Sequence, residues 1–412
     1  MDEKKAKIVQ ALEDQNTSAT FDDPLDNLMI LNMGPQHPAT HGVLRLLIRL
    51  DGETVVGCVP EVGYLHRGYE KLAENCTYHE FIPHTDRLDY ISPLANNTAY
   101  VLAVEKLLGI EAPRRAQFIR TMISELARIS SHLMFLGSIA MDVGALTVWM
   151  WAFREREKLY DLFERIAGAR FTTSYTRIGG VAQDVTPEIL DSVKKFIVQF
   201  PQTLVDCEYL LNKNRIFVER CDGIGVITPE KAIDLGFTGP GLRACGIGHD
   251  LRKANPYLIY DELDFDVPVY EGGDALARYY VRMAEMRESV KMIHQILKHF
   301  PQGDVHAFKP KKVLPRKEKV YSRMEELIHD FMLINFGIDP PVGEVYHGVE
   351  NPKGELGFYI HSRGKGYPWR LKIRSPSFVN IQTLPTMLMG CMISDVVAII
   401  GSLDPVMGEA DK

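Results

Sequence analysis

Apolar residues alternate with polar ones near the start of the chain, and this alternation predicts strands. It covers residues 28–62, where an Asp-Gly pair favours a two-residue turn between hairpin arms at 44–50 and 54–59. The loop at 34–42 contains two prolines and two glycines and is predicted to be non-helical. We therefore expect a small antiparallel sheet in this part of the chain.

From about residue 96 onward the apolar residues recur at spacings of three and four, which is typical of amphipathic helices. One long helix is predicted to begin at Ala112-Pro113, and Thr228-Pro229 predicts the capped start of a short one. Further helices are predicted at about 146–169, 187–200, 203–214, 274–300 and 319–336. Short strands return at about 342–349, 354–361 and 369–373, and a helix near 384–400 follows them.

These elements predict an α+β fold, mainly α, in which residues 28–412 form one domain. Its parts are a β-rich portion at 28–95, a helical body at 96–340, and strands with a C-terminal helix at 341–412. Residues 1–27 are charged and lack a continuous apolar stretch. They are predicted to form a mobile arm, and to be neither a signal peptide nor an anchor.

Two apolar segments are long enough to raise the question of a membrane span. Residues 133–153 contain Asp142 as their only charge, and residues 385–403 contain only Asp395. Glycines interrupt the first segment, and helical sequence rich in Arg and Glu flanks it. A core helix with one functional or paired carboxylate is therefore the better interpretation. The chain is expected to be soluble and to rest on a membrane partner.

Charge and cysteine content exclude several classes of protein. A net charge of −7 disfavours a nucleic-acid binder, since neutralising phosphates needs clustered Lys and Arg. The six cysteines include no C-x-x-C pair, which argues against zinc-ribbon and iron–sulfur loops, so we expect no metal in this chain. The Gly-rich stretch at 236–250 lacks the phosphate-binding patterns and is interpreted as a tight connector.

His37 and His41 stand in the string His-Pro-Ala-Thr-His on the predicted loop. Two loop histidines usually hydrogen-bond to backbone, but the same pair would also suit a metallohydrolase. Zinc would need a third ligand, and the string from His79 to His84 is one residue too long for the zinc-binding helix motif and contains a proline. A zinc enzyme is thus a competing hypothesis, which predicts stoichiometric zinc in the purified protein.

Five longer strings carry a family resemblance: MGPQHPATHGVLRL, EVGYLHRGYEKL, HTDRLDYISP, RIGGVAQDV and the ending SLDPVMGEADK. They resemble the D subunit of the NADH-quinone oxidoreductases, the respiratory complex I family, which in turn resembles the large subunit of nickel–iron hydrogenases. The match runs from about residue 28 to 412, with the motifs in the same order. It implies the fold of the hydrogenase large subunit, a helical body with small antiparallel sheets.

The thiolates of the hydrogenase metal site are missing from this sequence. Hydrogenases hold nickel and iron with four thiolates from two C-x-x-C pairs. Here Asp89 and Ser92 take the positions of the first pair, and Val406 and Glu409 take those of the second. The chain cannot build that metal centre, so the resemblance implies that the cavity takes another occupant.

In the complex I family that cavity holds the quinone headgroup, and the resemblance implies that His41 and Tyr90 are its two hydrogen-bond partners. A quinone is a substrate with two opposed carbonyl oxygens that gain negative charge on reduction. A donor at each oxygen would stabilise that charge and then supply a proton. Asp142 is the matching carboxylate beside His41, where it would favour the protonated imidazole and orient its ring.

Four further residues are implied by the resemblance. His37, Ser92 and Met134 would line the quinone pocket, and Arg67 would point toward the terminal iron–sulfur cluster of a neighbouring subunit. One departure stands at the C-terminus, where the family commonly ends in Arg and this chain ends in Lys412. Lysine keeps the charge but loses the planar fork of hydrogen-bond donors.

The resemblance implies a peripheral subunit that binds and protonates a quinone within a proton-translocating NADH:quinone oxidoreductase. Its partners would be the iron–sulfur subunit with the terminal cluster, other peripheral-arm subunits and membrane-arm subunits; FMN and the clusters would belong to those partners. A separate subunit without a transit peptide is expected on the cytoplasmic side of a bacterial inner membrane. The alternative is a scaffold subunit of a related membrane complex that is driven by ferredoxin or a deazaflavin.

Overall fold

The N-terminal sheet is built as the alternating pattern predicts. The computed structural model describes residues 28–307 and 312–412, so the predicted arm at 1–27 lies outside the described residues. The side chains of Leu46 and Ile48 are fully buried on the core face. The three antiparallel strands, in this order in the sheet, are β1 (Met29–Met33), β2 (Arg45–Asp51) and β3 (Thr54–Glu61). The predicted hairpin is confirmed.

The loop between β1 and β2 was predicted to be non-helical, and this prediction is wrong in part. Pro38–Thr40 forms one turn of 3-10 helix. Its proline occupies the first position of the turn, where a missing N–H needs no partner, so the residue that argued against a helix here starts one. Two short helices follow the sheet, α1 (Tyr69–Ala73) and α2 (Ile82–Thr85).

Three long helices begin the helical body, α3 (Pro93–Leu108), α4 (Arg114–Asp142) and α5 (Leu146–Ala167). The apolar segment considered as a membrane span is divided between α4 and α5, with Gly144 at φ +92° in the break. No helix in the described part of the chain is long and apolar enough to cross a membrane.

Helix α6 (Pro187–Leu211) is continuous where the sequence predicted two helices, so that prediction is wrong. The helix runs through Pro201, although a proline inside a helix removes a backbone hydrogen bond. Phe200 and Leu204 on either side of it are fully buried in the core that α6 shares with α4 and α5. This apolar burial outweighs the local loss.

The helical body continues with α7 (Arg215–Glu219), α8 (Pro229–Asp234), α9 (Pro240–Arg243), α10 (Leu251–Ala254), α11 (Ala275–Lys298), α12 (Lys317–Val320) and α13 (Met324–Phe336). Thr228 caps α8 as predicted. The single helix predicted at 319–336 is instead α12 and α13, because Arg323 between them is extended (φ −135°, ψ 128°). A Cβ at Gly239 would lie 2.4 Å from Gly354 Cα, so the Gly-rich connector needs glycine there.

The C-terminal part contains a second three-stranded antiparallel sheet and short helices. Its strands are β6 (Gly343–Asn351), β7 (Gly354–Ser362) and β8 (Arg370–Arg374), in that order; a two-residue pair, β4 (Thr176–Arg177) and β5 (Gly180–Val181), precedes them in the chain. The helices are α14 (Pro376–Ile381), α15 (Leu384–Leu388), α16 (Ile393–Leu403) and α17 (Met407–Ala410). The fold is thus mainly α with small antiparallel sheets, as predicted, while its division into one domain stays a prediction.

The helix predicted at 384–400 is wrong in one respect, because it is divided into α15 and α16. Gly390 (φ +80°) ends the first helix, and its N–H donates to the carbonyl of Val55 on β3 (2.8 Å). The N–H of Val55 in turn donates to the carbonyl of Cys391 (2.9 Å). These two bonds attach the break to the N-terminal sheet and replace the helical bonds lost there.

Buried hydrogen bonds and ion pairs join α4 to the elements around it. His132 of α4 lies 2.8 Å from Glu285 of α11 (Nε2 to Oε2). Arg243 of α9 holds both Glu285 (2.7 Å) and Glu350 of β6 (2.8 Å). All four side chains are at most 1% exposed, so removing Arg243 would leave uncompensated buried carboxylates, a loss of roughly 3–5 kcal/mol.

Two arginines of α11 fix the end of α16. Arg278 Nε donates to Ser402 Oγ (3.0 Å), and Arg282 Nη1 donates to the carbonyl of Ser402 (3.0 Å). The guanidinium of Arg282 also lies 4.0 Å from the ring centroid of Phe135 on α4. These contacts hold the C-terminal end of α16 against α4, where the candidate site lies.

Candidate functional site

The loop that carries the two histidines is held largely by its own backbone. His37 Nδ1 accepts a hydrogen bond from Ala39 N (3.2 Å), and a backbone bridge pairs His37 with Gly42. His41 ends the 3-10 turn in the left-handed conformation (φ 50°, ψ 41°). This conformation costs a residue with a side chain roughly 1 kcal/mol, which surrounding contacts must offset.

His41 is in contact with the carboxylate expected beside it. Its Nε2 lies 2.8 Å from Asp142 Oδ2, although 101 positions separate the two residues in the chain. The side chains are 12% and 9% exposed, so the pair is largely shielded from water. Asp142 is the last residue of α4, where the helix dipole disfavours a negative charge. The carboxylate is thus poorly placed to stabilise its helix and well placed to hold the imidazole.

Gly401 on α16 leaves the space in which this pair forms. A Cβ at this position would lie 2.9 Å from Asp142 Oδ2 and 3.6 Å from His41 Nε2. The first distance is too short for any real side chain, so the carboxylate occupies the volume that an alanine would need. The glycine therefore permits the contact.

Tyr90 lies in the segment between α2 and α3 and is half-buried. Its ring packs against Phe171 with the centroids 6.4 Å apart. Burial raises the pKa of the Tyr90 phenol, and the neighbouring Asp89 carboxylate raises it further. The phenol is accordingly protonated at neutral pH and is able to donate a hydrogen bond.

Consecutive residues of α17 contact both the histidine loop and Tyr90. A Cβ on Gly42 would lie 3.2 Å from Met407 Cγ, and a Cβ on Gly408 would lie 3.1 Å from Tyr90 Cδ1. The same position on Gly408 is 2.6 Å from the carbonyl oxygen of Leu88, so only glycine fits there. The start of α17 thus links the two predicted quinone partners.

Comparisons with known proteins identify the family. A family model described as the 49 kDa subunit of the respiratory-chain NADH dehydrogenase matches residues 142–412. The whole chain is 58% identical to an NADH-quinone oxidoreductase D subunit of Chloroherpeton thalassium, over 94% of that protein. It is 53% identical to the D subunit of Salinibacter ruber over 100% of this chain and 92% of that protein. Against the D subunit of Methylacidiphilum infernorum the identity is 57%, over 94% of this chain and 93% of that protein.

The chain belongs to the D-subunit family of NADH-quinone oxidoreductases. It is therefore a component of an oxidoreductase complex. A group of buried polar side chains near Tyr90 includes Asp89, Ser92 and Glu409, which the resemblance predicts at the positions of the hydrogenase thiolates.

One of these D-subunit residues, Asp89, belongs to a buried charge cluster. Lys353 Nζ lies 3.5 Å from Asp89 Oδ2 and 3.1 Å from Asp404 Oδ2, and donates to Ser131 Oγ (2.9 Å). Within residues 28–307 and 312–412, neither carboxylate oxygen has a partner with hydrogen-bond geometry, so the contacts with Lys353 are ionic only. Burial raises the pKa of Asp89, and the ammonium group opposes that rise.

Glu409 and Ser92 are also buried. Glu409 Oε1 accepts hydrogen bonds from the N–H (3.1 Å) and the hydroxyl of Ser377. Glu409 Oε2 and Ser92 Oγ have no partner in the portion of the chain that the structure covers. Burial, reinforced by repulsion from Asp89, raises the pKa of Glu409 to about 8. At neutral pH the carboxyl group of Glu409 thus carries a proton.

Arg67 is exposed and lies within electrostatic range of Tyr90. Its Nη2 donates to the carbonyl of Arg87 (3.0 Å), and its guanidinium stacks 4.7 Å above the ring of Tyr69. Its positive charge opposes the rise in the pKa of Tyr90.

The remaining predicted residues differ in what they contact. Met134 is half-buried on α4, with its sulfur 3.7 Å from Arg156 Nη1. His37 is exposed, and its ring accepts a hydrogen bond within its own turn. The structure thus brings His41 into contact with Asp142 and sets Ser92 beside the charge cluster. Among the described residues, His37 contacts neither Asp142 nor that cluster.

The C-terminus is fixed on the segment that precedes Arg67. Asp411 Oδ1 accepts from Gly63 N (2.9 Å), and its Oδ2 accepts from Leu65 N (2.6 Å). Lys412 Nζ donates to the carbonyl of Ile373 (2.6 Å). This bond goes to a single oxygen and needs no planar fork, so it suits a lysine where the family commonly has arginine.

Three residues of the site region were missed from the sequence. Lys353 lies in an Asn-Pro-Lys-Gly turn, where lysine is usually exposed, yet it is 2% exposed. Gly401 lies in an apolar helix, where nothing in the sequence marks it as a residue of the site. Arg156 lies in the run Arg-Glu-Arg-Glu-Lys, typical of a solvated helix face, yet it is 7% exposed. Its spacing of four and three from the buried Ala152 and Leu159 is the signal that would have found it.

The competing zinc hypothesis lacks a ligand set in the described residues. No group of three His, Cys, Asp or Glu side chains among them is arranged to hold a metal ion. His37 and His41 have separate partners, the N–H of Ala39 and the carboxylate of Asp142. Elemental analysis of the purified protein is the direct test.

Proposed function

We propose that this chain forms the quinone-binding site of a proton-translocating NADH:quinone oxidoreductase and supplies protons to the reduced headgroup. The observation that carries the proposal is the 2.8 Å contact between His41 Nε2 and Asp142 Oδ2. A histidine held by a carboxylate and largely shielded from water is suited to donate a proton to a reduced substrate oxygen.

Two donors of different strength suit the chemistry of a quinone. Reduction by two electrons puts negative charge on two opposed oxygens, each of which then takes up a proton. His41 would donate first, and Tyr90, whose pKa is raised by burial, would donate only to a strongly basic oxygen. The electrons would come from the terminal iron–sulfur cluster of a partner subunit, and this chain would contribute the pocket, with Ser92, Met134 and His37 as further lining residues.

The surface beside the His41–Asp142 pair supports a position at the membrane. Met141, Leu146 and Met150 are 46%, 54% and 55% exposed and flank the break between α4 and α5. An apolar rim next to the pair suits an isoprenoid tail or a membrane-arm subunit. We place the chain as a peripheral subunit on the cytoplasmic side of the bacterial inner membrane.

The test is Tyr90→Phe in the purified complex, with Tyr69→Phe as the matched control. Each substitution removes one phenolic oxygen, and the Tyr69 hydroxyl is buried without a partner among the described residues. Loss of a general acid lowers a rate by about 10²–10⁴-fold, so Tyr90→Phe should reduce turnover of short-chain quinones by about tenfold or more. Tyr69→Phe should not.

Two further measurements complete the test. Assembly of the complex and electron transfer from NADH to an artificial acceptor should be normal in Tyr90→Phe, because both lie upstream of the pocket. Normal quinone turnover in Tyr90→Phe would refute the proposal. Purification of the complex without an NADH-oxidising partner would instead favour the ferredoxin- or deazaflavin-driven alternative.

A further inference from the structure

Arg156 on α5 is a buried cation with little to bind. Its Nη1 approaches Met134 Sδ at 3.7 Å, and its Nε has no hydrogen-bond partner in the residues that the structure covers. The guanidinium lies 4.7 Å from the ring centroid of Tyr160 and 5.6 Å from that of Phe153. Sulfur and aromatic faces are weak acceptors, and among the described residues no oxygen accepts a hydrogen bond from this side chain.

The other buried arginines of the described ranges all bind oxygen. Carboxylates hold Arg115, Arg120, Arg128, Arg243 and Arg252, and carbonyl or hydroxyl oxygens hold Arg278 and Arg282. Arg156 is the exception within these ranges. Because a buried cation without acceptors is strongly disfavoured, the fold alone does not account for it.

The surroundings of Arg156 are those of the proposed pocket. Met134, which its guanidinium touches, is a proposed lining residue. The ring of Tyr160 packs against Phe171 (6.5 Å between centroids), and Phe171 packs against Tyr90 (6.4 Å). A continuous row of aromatic rings thus leads from Arg156 to the proposed phenolic donor.

The charges that face Arg156 come from several elements. Burial lowers the pKa of Arg156, while Tyr160 and the acids Asp89, Glu157 and Asp404 act against that change. None of these acids lies within ion-pair distance of the guanidinium among the described residues. An arginine remains charged under such conditions, so a positive charge is present without a bound counter-ion.

From these contacts we infer that Arg156 is a further binding residue of the quinone pocket, where it stabilises the negative charge that a ring oxygen gains on reduction. The inference rests on the proposed function and specifies its ligand as an oxygen acceptor that becomes anionic. The planar fork of a guanidinium suits two neighbouring oxygens, such as a ring carbonyl and an adjacent oxygen substituent. An interaction that strengthens as charge develops raises kcat more than it lowers KM.

The experiment compares Arg156→Met, which removes the charge, with Arg156→Lys, which keeps the charge and loses the fork. Both are made in the purified complex, with Arg154→Met as the matched control on the same helix. Arg154 is exposed, and its partner Glu155 keeps a second cation, Lys158 (2.8 Å). The measurements are kcat and KM for soluble quinones of different reduction potential, electron transfer from NADH to an artificial acceptor, and assembly.

Arg156→Met should lower kcat for quinone by about tenfold or more, since removing one charge-stabilising donor typically costs about 10²–10³-fold. KM should change far less than kcat, and the loss should be largest for the quinone of lowest potential, whose reduction depends most on stabilising the product. Arg156→Lys should fall between wild type and Arg156→Met. Arg154→Met and upstream electron transfer should be normal.

Three results would overturn the inference. An equal loss for all quinones in Arg156→Met, with wild-type behaviour in Arg156→Lys, would show a structural cation only. Failure of both variants to assemble would assign the side chain to the fold. Normal quinone turnover in Arg156→Met would exclude the role outright; if Tyr90→Phe is then defective, the proposed function survives, and if it is also normal, the pocket itself is refuted.

Discussion

His41 Nε2 lies 2.8 Å from Asp142 Oδ2, and this contact joins the loop after β1 to the last residue of α4. It offsets two unfavourable features at once. The histidine has a left-handed backbone, and the carboxylate stands at the negative end of a helix. Each residue therefore stabilises the other.

Asp142→Asn should remove the negative charge of this pair and keep a side chain of the same shape. Asparagine can still accept a hydrogen bond from the imidazole, but it does not favour the protonated form. Quinone turnover by the purified complex should fall by about tenfold or more, with normal assembly. Asp161→Asn, which alters an exposed pair with Arg170, is the control and should leave turnover unchanged. Wild-type turnover in Asp142→Asn would argue against a proton-donating role for His41.

Gly401→Ala should displace the same carboxylate without changing any polar group. The new methyl carbon would lie 2.9 Å from Asp142 Oδ2, so the side chain must move by several tenths of an ångström. Small displacements of catalytic groups reduce rates strongly, and we expect turnover of quinone to fall by about threefold to tenfold. Thermal stability should change little, because a helix favours alanine over glycine by about 1 kcal/mol and this gain offsets the cost of displacing Asp142.

The control for Gly401→Ala is Gly57→Ala, where the nearest atom to a new Cβ is Arg49 Cβ at an ordinary 3.5 Å. Turnover is measured with short-chain quinones, alongside a structure of the variant. If the Asp142–His41 distance lengthens while turnover stays at the wild-type value, the pair is not part of the reaction.

Much of the fold could be predicted because its signals are local. The Asp-Gly turn set the hairpin, and Thr-Pro pairs set the starts of α6 and α8. Asp142 was also accessible, because a single acid in an apolar segment needs a partner. For the histidine that meets it, the family motif was required.

The residues that could not be predicted are those whose environment is set by distant parts of the chain. Pro201 ends no helix, because burial on both sides of it overrides a local preference. Lys353 has the sequence context of an exposed cation and becomes buried only when its β-turn packs against other elements. A local sequence pattern predicts the usual exposure of a residue type. It does not identify a residue that distant parts of the chain bury.

Lys353→Met should destabilise the protein, because it leaves Asp89 and Asp404 buried without their shared cation. Breaking a buried ion pair on one side costs roughly 3–5 kcal/mol, so the yield of assembled complex and its unfolding temperature should both fall. Lys372→Met, which removes an exposed lysine paired with Glu70, is the control and should behave like wild type. Adding Asp404→Asn to Lys353→Met should restore part of the loss; no restoration would show that Lys353 acts through packing alone.

Glu409→Gln should remove a pH dependence from the stability of the protein. The pKa of Glu409 is raised from 4.5 to about 8, so between these values the folded chain holds a proton that the unfolded chain releases. Stability from this group is therefore present at low pH and is lost as pH rises through 8. Between pH 6 and 9 the free energy of unfolding should decline more in wild type than in Glu409→Gln, by on the order of 1–3 kcal/mol.

Thermal unfolding of the purified complex across that pH range measures the difference. Infrared difference spectra should also show a protonated-carboxyl band at neutral pH that disappears in Glu409→Gln. Glu188→Gln, an exposed acid in the first turn of α6, controls for the general effect of removing a carboxylate. Parallel pH profiles in wild type and Glu409→Gln would mean that Glu409 is ionised at neutral pH, and that its repulsion with Asp89 is neutralised by Lys353 instead.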